Sequence, residues 1–191
     1  MINTTENSFT YDTETMPKSP AVANFMKVSF EQFKTAVETF VDSIDTGTVP
    51  MNDFLEATYE QITLPERATF GSAGYDFRTP LPVTLDVNQT MIIPTGIRCS
   101  MQNNYVLQLY PRSGLGFKFG MELVNTVGII DADYFKADNE GHIMIKIKPT
   151  LRAMQLNAGE RFAQGIFMPY GITNDDEADG VRTGGIGSSG K

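Results

Sequence analysis

The apolar positions along this chain change period once, and the change divides it. Met26, Phe30, Phe33, Val37, Phe40, Val41 and Ile44 recur at three- and four-residue steps, which predicts an amphipathic helix over the segment beginning at Phe25. Ser29 followed by Gln32 forms a capping-box signature at its start, and Thr46-Gly47 a stop. Asn52 then stands ahead of Phe54, Leu55 and Tyr59 as the cap of a second, shorter helix. A helical hairpin packed on the body of the protein or on a neighbouring subunit accounts for residues 25–61. The same apolar stripe also makes residues 25–59 the candidate surface for a protein partner.

From Leu64 onward the texture is that of short strands. Val83–Val87, Met91–Pro94, Tyr105–Tyr110 and Ile143–Ile147 are runs of β-branched, aromatic and long apolar residues separated by Gly, Pro and Asn. Many short strands with turn signals, and no alternation of strand with helix, predict an all-β sandwich or barrel. Residues 1–24, rich in Thr, Asn, Glu, Ser and Pro, read as a loose tail. Residues 174–191, acidic and then glycine-rich, read as a mobile arm. The β domain is thus assigned to residues 62–173.

Composition narrows the function classes. The 191 residues carry a net charge of −8, which repels polyanions and argues against nucleic-acid binding. No apolar run approaches the length of a membrane span, and the N-terminus lacks the basic and apolar regions of a signal peptide. With one cysteine, Cys99, no intrachain disulfide forms, and a cytoplasmic setting fits. His142 is the only histidine, so no Cys/His cluster is available for structural zinc.

Three segments carry candidate chemistry. Pro111-Arg112-Ser113-Gly114-Leu115-Gly116 combines a cation, a hydroxyl and glycines that let backbone amides approach a phosphate. Asp131-Ala132-Asp133 follows an apolar strand, whose alternation would send both carboxylates to one side, where one serves as a base or metal partner. The other reading is a turn in which the Asp side chains bond their own backbone. Arg182 with the glycine-rich end of the chain has the makings of a flap over an anion, or of a simple flexible end.

Five motifs in order resemble those of the trimeric dUTPase family. They are Gly71–Asp76, Pro111–Gly120, Asn125–Tyr134, Gly159–Gln164 and Gly184–Gly190. The resemblance covers about residues 62–191 and implies an all-β jelly-roll of the β-clip type, here with an N-terminal α-helical extension. It implies hydrolysis of dUTP to dUMP and diphosphate with Mg²⁺, which lowers dUTP and supplies dUMP for thymidylate synthesis. It also implies a homotrimer whose active sites are shared between subunits. By motif position Asp131 is the general base that activates the attacking water, and Tyr134 lies under the deoxyribose. Asn125, Gly128, Ile129, Ile130 and Met144 form the nucleoside pocket. Arg112, Ser113 and Gly114 hold phosphates from a neighbouring subunit, Gln164 joins the phosphate or water network, and Asp76 reaches magnesium through water. Arg182, Ile186, Gly187 and Ser188 belong to the closing arm.

The match departs from the common pattern in three places. Arg182 stands two residues before its Gly-Gly pair, where the best-known members have it three before. Ile186 replaces the usual Phe on uracil, which removes ~0.5–1.5 kcal/mol of aromatic stacking and predicts a looser arm and raised KM. Phe135–Glu140 lengthens the connection after Tyr134, as in phage and prophage members from Gram-positive bacteria, some of which also act through protein partners. A dCTP deaminase of the same fold is the enzymatic alternative. That family needs Arg-Ser-Ser and a glutamate base, whereas this chain has Gly114 after Arg112-Ser113 and Asp131 at the base position.

Overall fold

The computed structural model describes residues 19–41, 46–182 and 184. Among the described residues twelve short strands carry most of the regular structure, and every pairing among them is antiparallel. The largest sheet has five strands in the order β2 (Glu66–Arg67), β3 (Tyr75–Arg78), β12 (Arg161–Pro169), β7 (Tyr105–Pro111), β9 (Gly128–Ile130). A second has the order β5 (Met91–Pro94), β10 (Met144–Lys148), β8 (Glu122–Leu123), and β11 (Met154–Leu156) pairs with β4 (Val83–Leu85). The predicted strands at residues 83–87, 91–94, 105–110 and 143–147 thus fall on β4, β5, β7 and β10, with ends shifted by up to two residues. In β10 the alternation is plain: Ile145 and Ile147 are buried while Lys146 is exposed, so one face turns to the core and the other to solvent.

The N-terminal part differs from its expected form. Ala23–Lys27 is a strand, β1, paired with β6 (Ile97–Met101), in register from Ala23↔Met101 to Lys27↔Ile97. The helix predicted from Phe25 therefore begins only at Phe30, as α1 (Phe30–Phe40). Phe25 fits a helical stripe equally well, but its ring enters an aromatic cluster, 5.4 Å from Tyr75, 5.6 Å from Phe167 and 5.7 Å from Phe77. Tertiary packing of this kind overrides local periodicity. Residues 1–18, and Ile44 of the expected stripe, lie outside the described residues.

Ser29 caps α1 as expected, its Oγ accepting from the Gln32 N–H at 3.1 Å. The reciprocal half of the capping box is supplied from elsewhere, because Ser29 N–H donates to Glu140 Oε2 at 2.8 Å. The second helix, α2 (Met51–Glu60), is entered through Pro50 rather than capped by Asn52. Asn52 lies in its first turn, where it accepts from Lys34 Nζ and donates to Glu56.

The helices are part of the common core. Phe33, Ala36 and Val37 of α1 and Leu55 of α2 are buried. Phe33, Val37 and Leu55 share one cluster with Phe77, Ile97, Leu107, Leu109, Ile145 and Phe162 from the strands. Phe33 and Val37 of the apolar stripe offered as a partner surface are thereby covered within the chain itself, while Phe40 stays exposed. Phe33 is wholly buried, so Phe33→Ala is expected to lower unfolding free energy by about 3–5 kcal/mol. Urea denaturation followed by circular dichroism measures this; a loss below about 1 kcal/mol would show that α1 packs on the barrel without sharing its core.

Candidate active site

Two short elements bring the acid-rich segment into position. The turn at Asn125-Thr126-Val127 is tight: Val127 N–H donates to the Asn125 carbonyl at 2.7 Å and Thr126 N–H to that of Leu123 at 2.9 Å. Thr126 has φ +66°, an uncommon left-handed conformation for a β-branched residue. The chain then enters β9, where Gly128 lies so close to β7 that a Cβ would stand 3.0 Å from Leu109 Cβ. After Ile130 the strand stops, and Ala132–Lys136 forms a 3₁₀ helix, η1, with Asp131 at its cap.

This change of geometry decides what the two aspartates do. The Asp131 side chain makes no cap bond to the backbone, so the self-bonded turn is not what forms. Nor are the pair set by strand alternation, since Asp133 lies inside η1. Even so, both carboxylates meet one guanidinium. Arg182 Nη2 lies 2.7 Å from Asp131 Oδ2, and its Nε lies 3.0 Å from Asp133 Oδ1. The Arg182 side chain is mostly covered, and its guanidinium carbon stands 5.6 Å from the centre of the Tyr134 ring. Nothing in the sequence signals this seat for Arg182.

Tyr134 is buried on η1, and its hydroxyl is satisfied on both sides. It donates to the His142 carbonyl at 2.9 Å and accepts from Asn139 Nδ2 at 2.8 Å. Burial raises the phenol above its ordinary range, against the Asn139 hydrogen bond and the Arg182 charge, which both lower it. The hydroxyl therefore stays a donor. Together these elements enclose an open cavity of about 430 Å³. Ile92, Leu109 and Met144 contribute apolar wall, β9 with Asn125 contributes backbone edge, and Asp131, Tyr134 and Arg182 close the polar end.

The remaining candidates form a second cluster. Asp76 on β3 splits its carboxylate between two arginines: Oδ1 faces Arg112 Nε at 3.1 Å and Oδ2 faces Arg161 Nη1 at 2.9 Å. Arg112 caps a short helix, α3 (Ser113–Phe119), whose first residues Ser113 and Gly114 are exposed. Gln164 on β12 donates to the Pro111 carbonyl at 3.3 Å, and Gly74 lies so close that a Cβ would stand 2.5 Å from Gln164 Oε1. None of Asp76, Arg112, Ser113, Gly114 and Gln164 lines the first cavity. One chain thus carries two separate clusters, an open cavity ending at Asp131 and Tyr134 and a cation-rich patch around Asp76. Arg161, not singled out in the sequence, belongs to the second. Ile186, Gly187 and Ser188 lie outside the described residues.

A mostly β fold thus presents an apolar slot closed by an acid pair and a buried tyrosine, with an Arg-Ser-Gly helix start standing apart from it. The sequence profile of the dUTPase family matches residues 60–190. The deoxyuridine 5'-triphosphate nucleotidohydrolase of Lactococcus lactis is 41% identical over 133 residues, covering 68% of this chain and 89% of that protein. Its counterpart in Hahella chejuensis is 39% identical over 139 residues, covering 68% and 88%. The crystal structure of dUTPase from Streptococcus mutans, 40% identical, superposes with a TM-score of 0.54 over 58% of this chain and 88% of that one. The dUTPase from phage phi11 of S. aureus shares the fold at 23% identity and a TM-score of 0.52, over 62% of this chain and 90% of that one. The chain belongs to the dUTPase family.

His142 supports the tyrosine from behind and carries a measurable signature. It is fully buried, and its Nε2 accepts from the Gly96 N–H at 2.8 Å. A proton added at Nε2 would meet that donor head on, and burial penalises the cation. Burial drives the His142 pKa from 6.5 down to about 4, against the opposing charge of Glu140. Above pH 6.5 the ring is neutral in folded and unfolded chains alike. Between 6.5 and 4 only the unfolded chain takes up the proton, so stability is lost as pH falls through that window, by about 3 kcal/mol in total. Denaturation midpoints from pH 7 to 4 should show this loss, and His142→Gln should flatten the slope. An equally steep slope in that variant would assign the effect to other groups.

Proposed function

We propose that the protein hydrolyses dUTP to dUMP and diphosphate, and that Asp131 supplies the base. The observation that carries this reading is the placement of Asp131 beside the buried ring of Tyr134 at one end of the nucleoside-sized cavity. Uracil lies along β9, read by Asn125 and the backbone of Gly128, Ile129 and Ile130, with Met144 at the wall. A slot shaped by packed backbone has no room for a 5-methyl group, and its polar edges leave cytosine unmatched. The deoxyribose rests on Tyr134, whose fixed ring excludes a 2′-hydroxyl. Asp131 takes the proton of a water as its oxygen attacks the α-phosphorus. The new P–O bond forms as the bond to the bridging oxygen breaks, and diphosphate leaves.

Arg182 competes with that water for the same carboxylate, and substrate arrival draws it off the acid pair toward the phosphates. The second half-site, Arg112, Ser113, Gly114 and Gln164, then holds the triphosphate of a neighbouring copy. Helix starts of this kind offer unpaired N–H groups to anions. A homotrimer brings the half-sites together. Exposed apolar side chains, among them Phe117 on α3 at 89% exposure, are the kind of surface that association covers.

Among the described residues no three His, Cys, Asp or Glu form a metal cage, and both oxygens of Asp76 are engaged by arginines. The donor set fits an ion that arrives on the triphosphate, with Asp76 meeting it through water. Magnesium suits that role because it prefers oxygen ligands and keeps several waters, and it would neutralise phosphate charge.

Purified protein should release diphosphate from dUTP. Asp131→Asn should retain KM within a few-fold while kcat drops about 10²–10⁴-fold, the usual contribution of a positioned base. Near-normal turnover by that variant would remove Asp131 from the chemistry. Ammonia from dCTP with dUTP untouched would replace hydrolysis by deamination.

A further inference from the structure

Three features remain outside the catalytic reading: the segment ahead of the barrel, the lengthened loop after Tyr134, and the left-handed residue within that loop. They meet at one carboxylate. Glu140 accepts from the Ser29 backbone N–H at 2.8 Å through Oε2 and from the Ser29 hydroxyl at 2.5 Å through Oε1. The two residues are 111 apart in sequence. Ser29 is also the residue that caps α1, so one side chain joins the start of that helix to the loop.

The loop is in turn wrapped around the tyrosine. Asn139 donates to the Tyr134 hydroxyl at 2.8 Å and accepts from the Gly141 N–H at 3.2 Å. Glu140 follows with φ +58°, and Gly141 with φ +70°. Gly141 lies so close to η1 that a Cβ there would stand 2.6 Å from the Tyr134 carbonyl oxygen. His142 then closes the circuit by accepting from the Tyr134 hydroxyl at 2.9 Å. Arg98 on β6 braces the other side, donating to the Phe135 carbonyl at 2.7 Å with its guanidinium 3.8 Å from the Phe135 ring centre. Phe135, Asn139 and Glu140, around Tyr134, are thus held respectively by β6, by the loop's own fold and by Ser29.

We propose that Glu140 is a positioning residue for the sugar pocket, tying the Tyr134 loop to Ser29 so that the segment ahead of the barrel sets the fit at the deoxyribose. The proposal rests on the reading of Tyr134 as the sugar-facing ring. The geometry favours positioning over a simple surface contact. A surface ion pair would join two long, mobile side chains. Here both carboxylate oxygens grip one short residue, one of them through a backbone amide, on an element rooted in the core. Residue 29 lies outside the span matched by the dUTPase family, residues 60–190.

The test uses the full chain and three variants: Glu140→Gly, Glu140→Gln and Ser29→Ala. Glycine suits the positive φ at 140 and removes the anchor together with the 3.8 Å ion pair from Glu140 to Arg98, which Ser29→Ala leaves in place. Glutamine keeps an acceptor for the Ser29 amide and offers its own amide to the hydroxyl. Steady-state hydrolysis is measured with dUTP and with UTP. Glu140→Gly should raise KM for dUTP and narrow the dUTP-over-UTP preference, each by about tenfold, the scale on which small misplacements act. The kcat for dUTP should change little. Glu140→Gln should recover most of the preference, and Ser29→Ala should lose part of it and add little to Glu140→Gly.

A purely structural role would lower kcat in proportion to the folded fraction and leave KM and the preference unchanged; that result overturns the inference while dUTP hydrolysis stands. If Glu140→Gly unfolds, Ser29→Ala with an unaltered preference overturns it equally. If wild-type protein does not hydrolyse dUTP at all, the functional reading itself fails and this inference with it.

Discussion

One residue, Gly96 between β5 and β6, ties the segment ahead of the barrel to the loop behind Tyr134 through its two flanking peptide groups. Its carbonyl accepts from the Val28 N–H at 3.0 Å, and its N–H donates to His142 Nε2. It has φ +73°, and a Cβ there would stand 2.4 Å from Ile62 Cδ1 and 3.4 Å from Phe33. Only glycine meets both demands, a left-handed backbone and a side chain's worth of space given to the helices. The residues it joins lead directly outward: Val28 to Ser29 and α1, His142 to Tyr134, and Ile62 to the end of α2. Buried backbone groups must find partners, so the two peptides flanking Gly96, with the space it leaves for Ile62, commit all three segments to one arrangement.

The barrel was legible in the sequence because its strands obey a short-range rule. Burial on one face imposes a period of two, and β10 with Ile145 and Ile147 inward and Lys146 outward follows it. The caps of the helices were legible to the extent that they are local. Ser29 and Gln32 are three residues apart and bond as expected, whereas Asn52 gave way to Pro50 because its side chain has better partners in Lys34 and Glu56. Strand β1 was not legible. The pattern around Phe25 serves a helix or a strand, and the aromatic rings that select between them come from residues 75, 77 and 167.

The site divides along the same line. Its positions were marked by motifs, and the structure does gather Asn125, Gly128, Ile129, Ile130, Asp131, Tyr134 and Met144 around one cavity. The convergence of Asp131 and Asp133 was foreseen for a different reason: a 3₁₀ turn, not strand alternation, brings them together. The seat of Arg182 between them was not foreseen, since it depends on where a distant part of the chain returns. The same holds for Arg161, whose pairing with Asp76 leaves no local trace. Interactions between residues far apart in sequence are the part of a site that pattern alone does not contain.

Strand β1 has a consequence for the fate of the chain outside its native state. In the described residues β6 pairs with β1 alone, so these five residues are its one ladder partner. An uncovered edge is a template for a strand from another molecule, and β6 carries the buried side chains Ile97 and Cys99 on one face. While β1 is undocked, during synthesis or after a cut near residue 28, the same registry that now closes the sheet internally would be offered to a neighbour. The short N-terminal strand thus keeps that edge of β6 paired within its own chain.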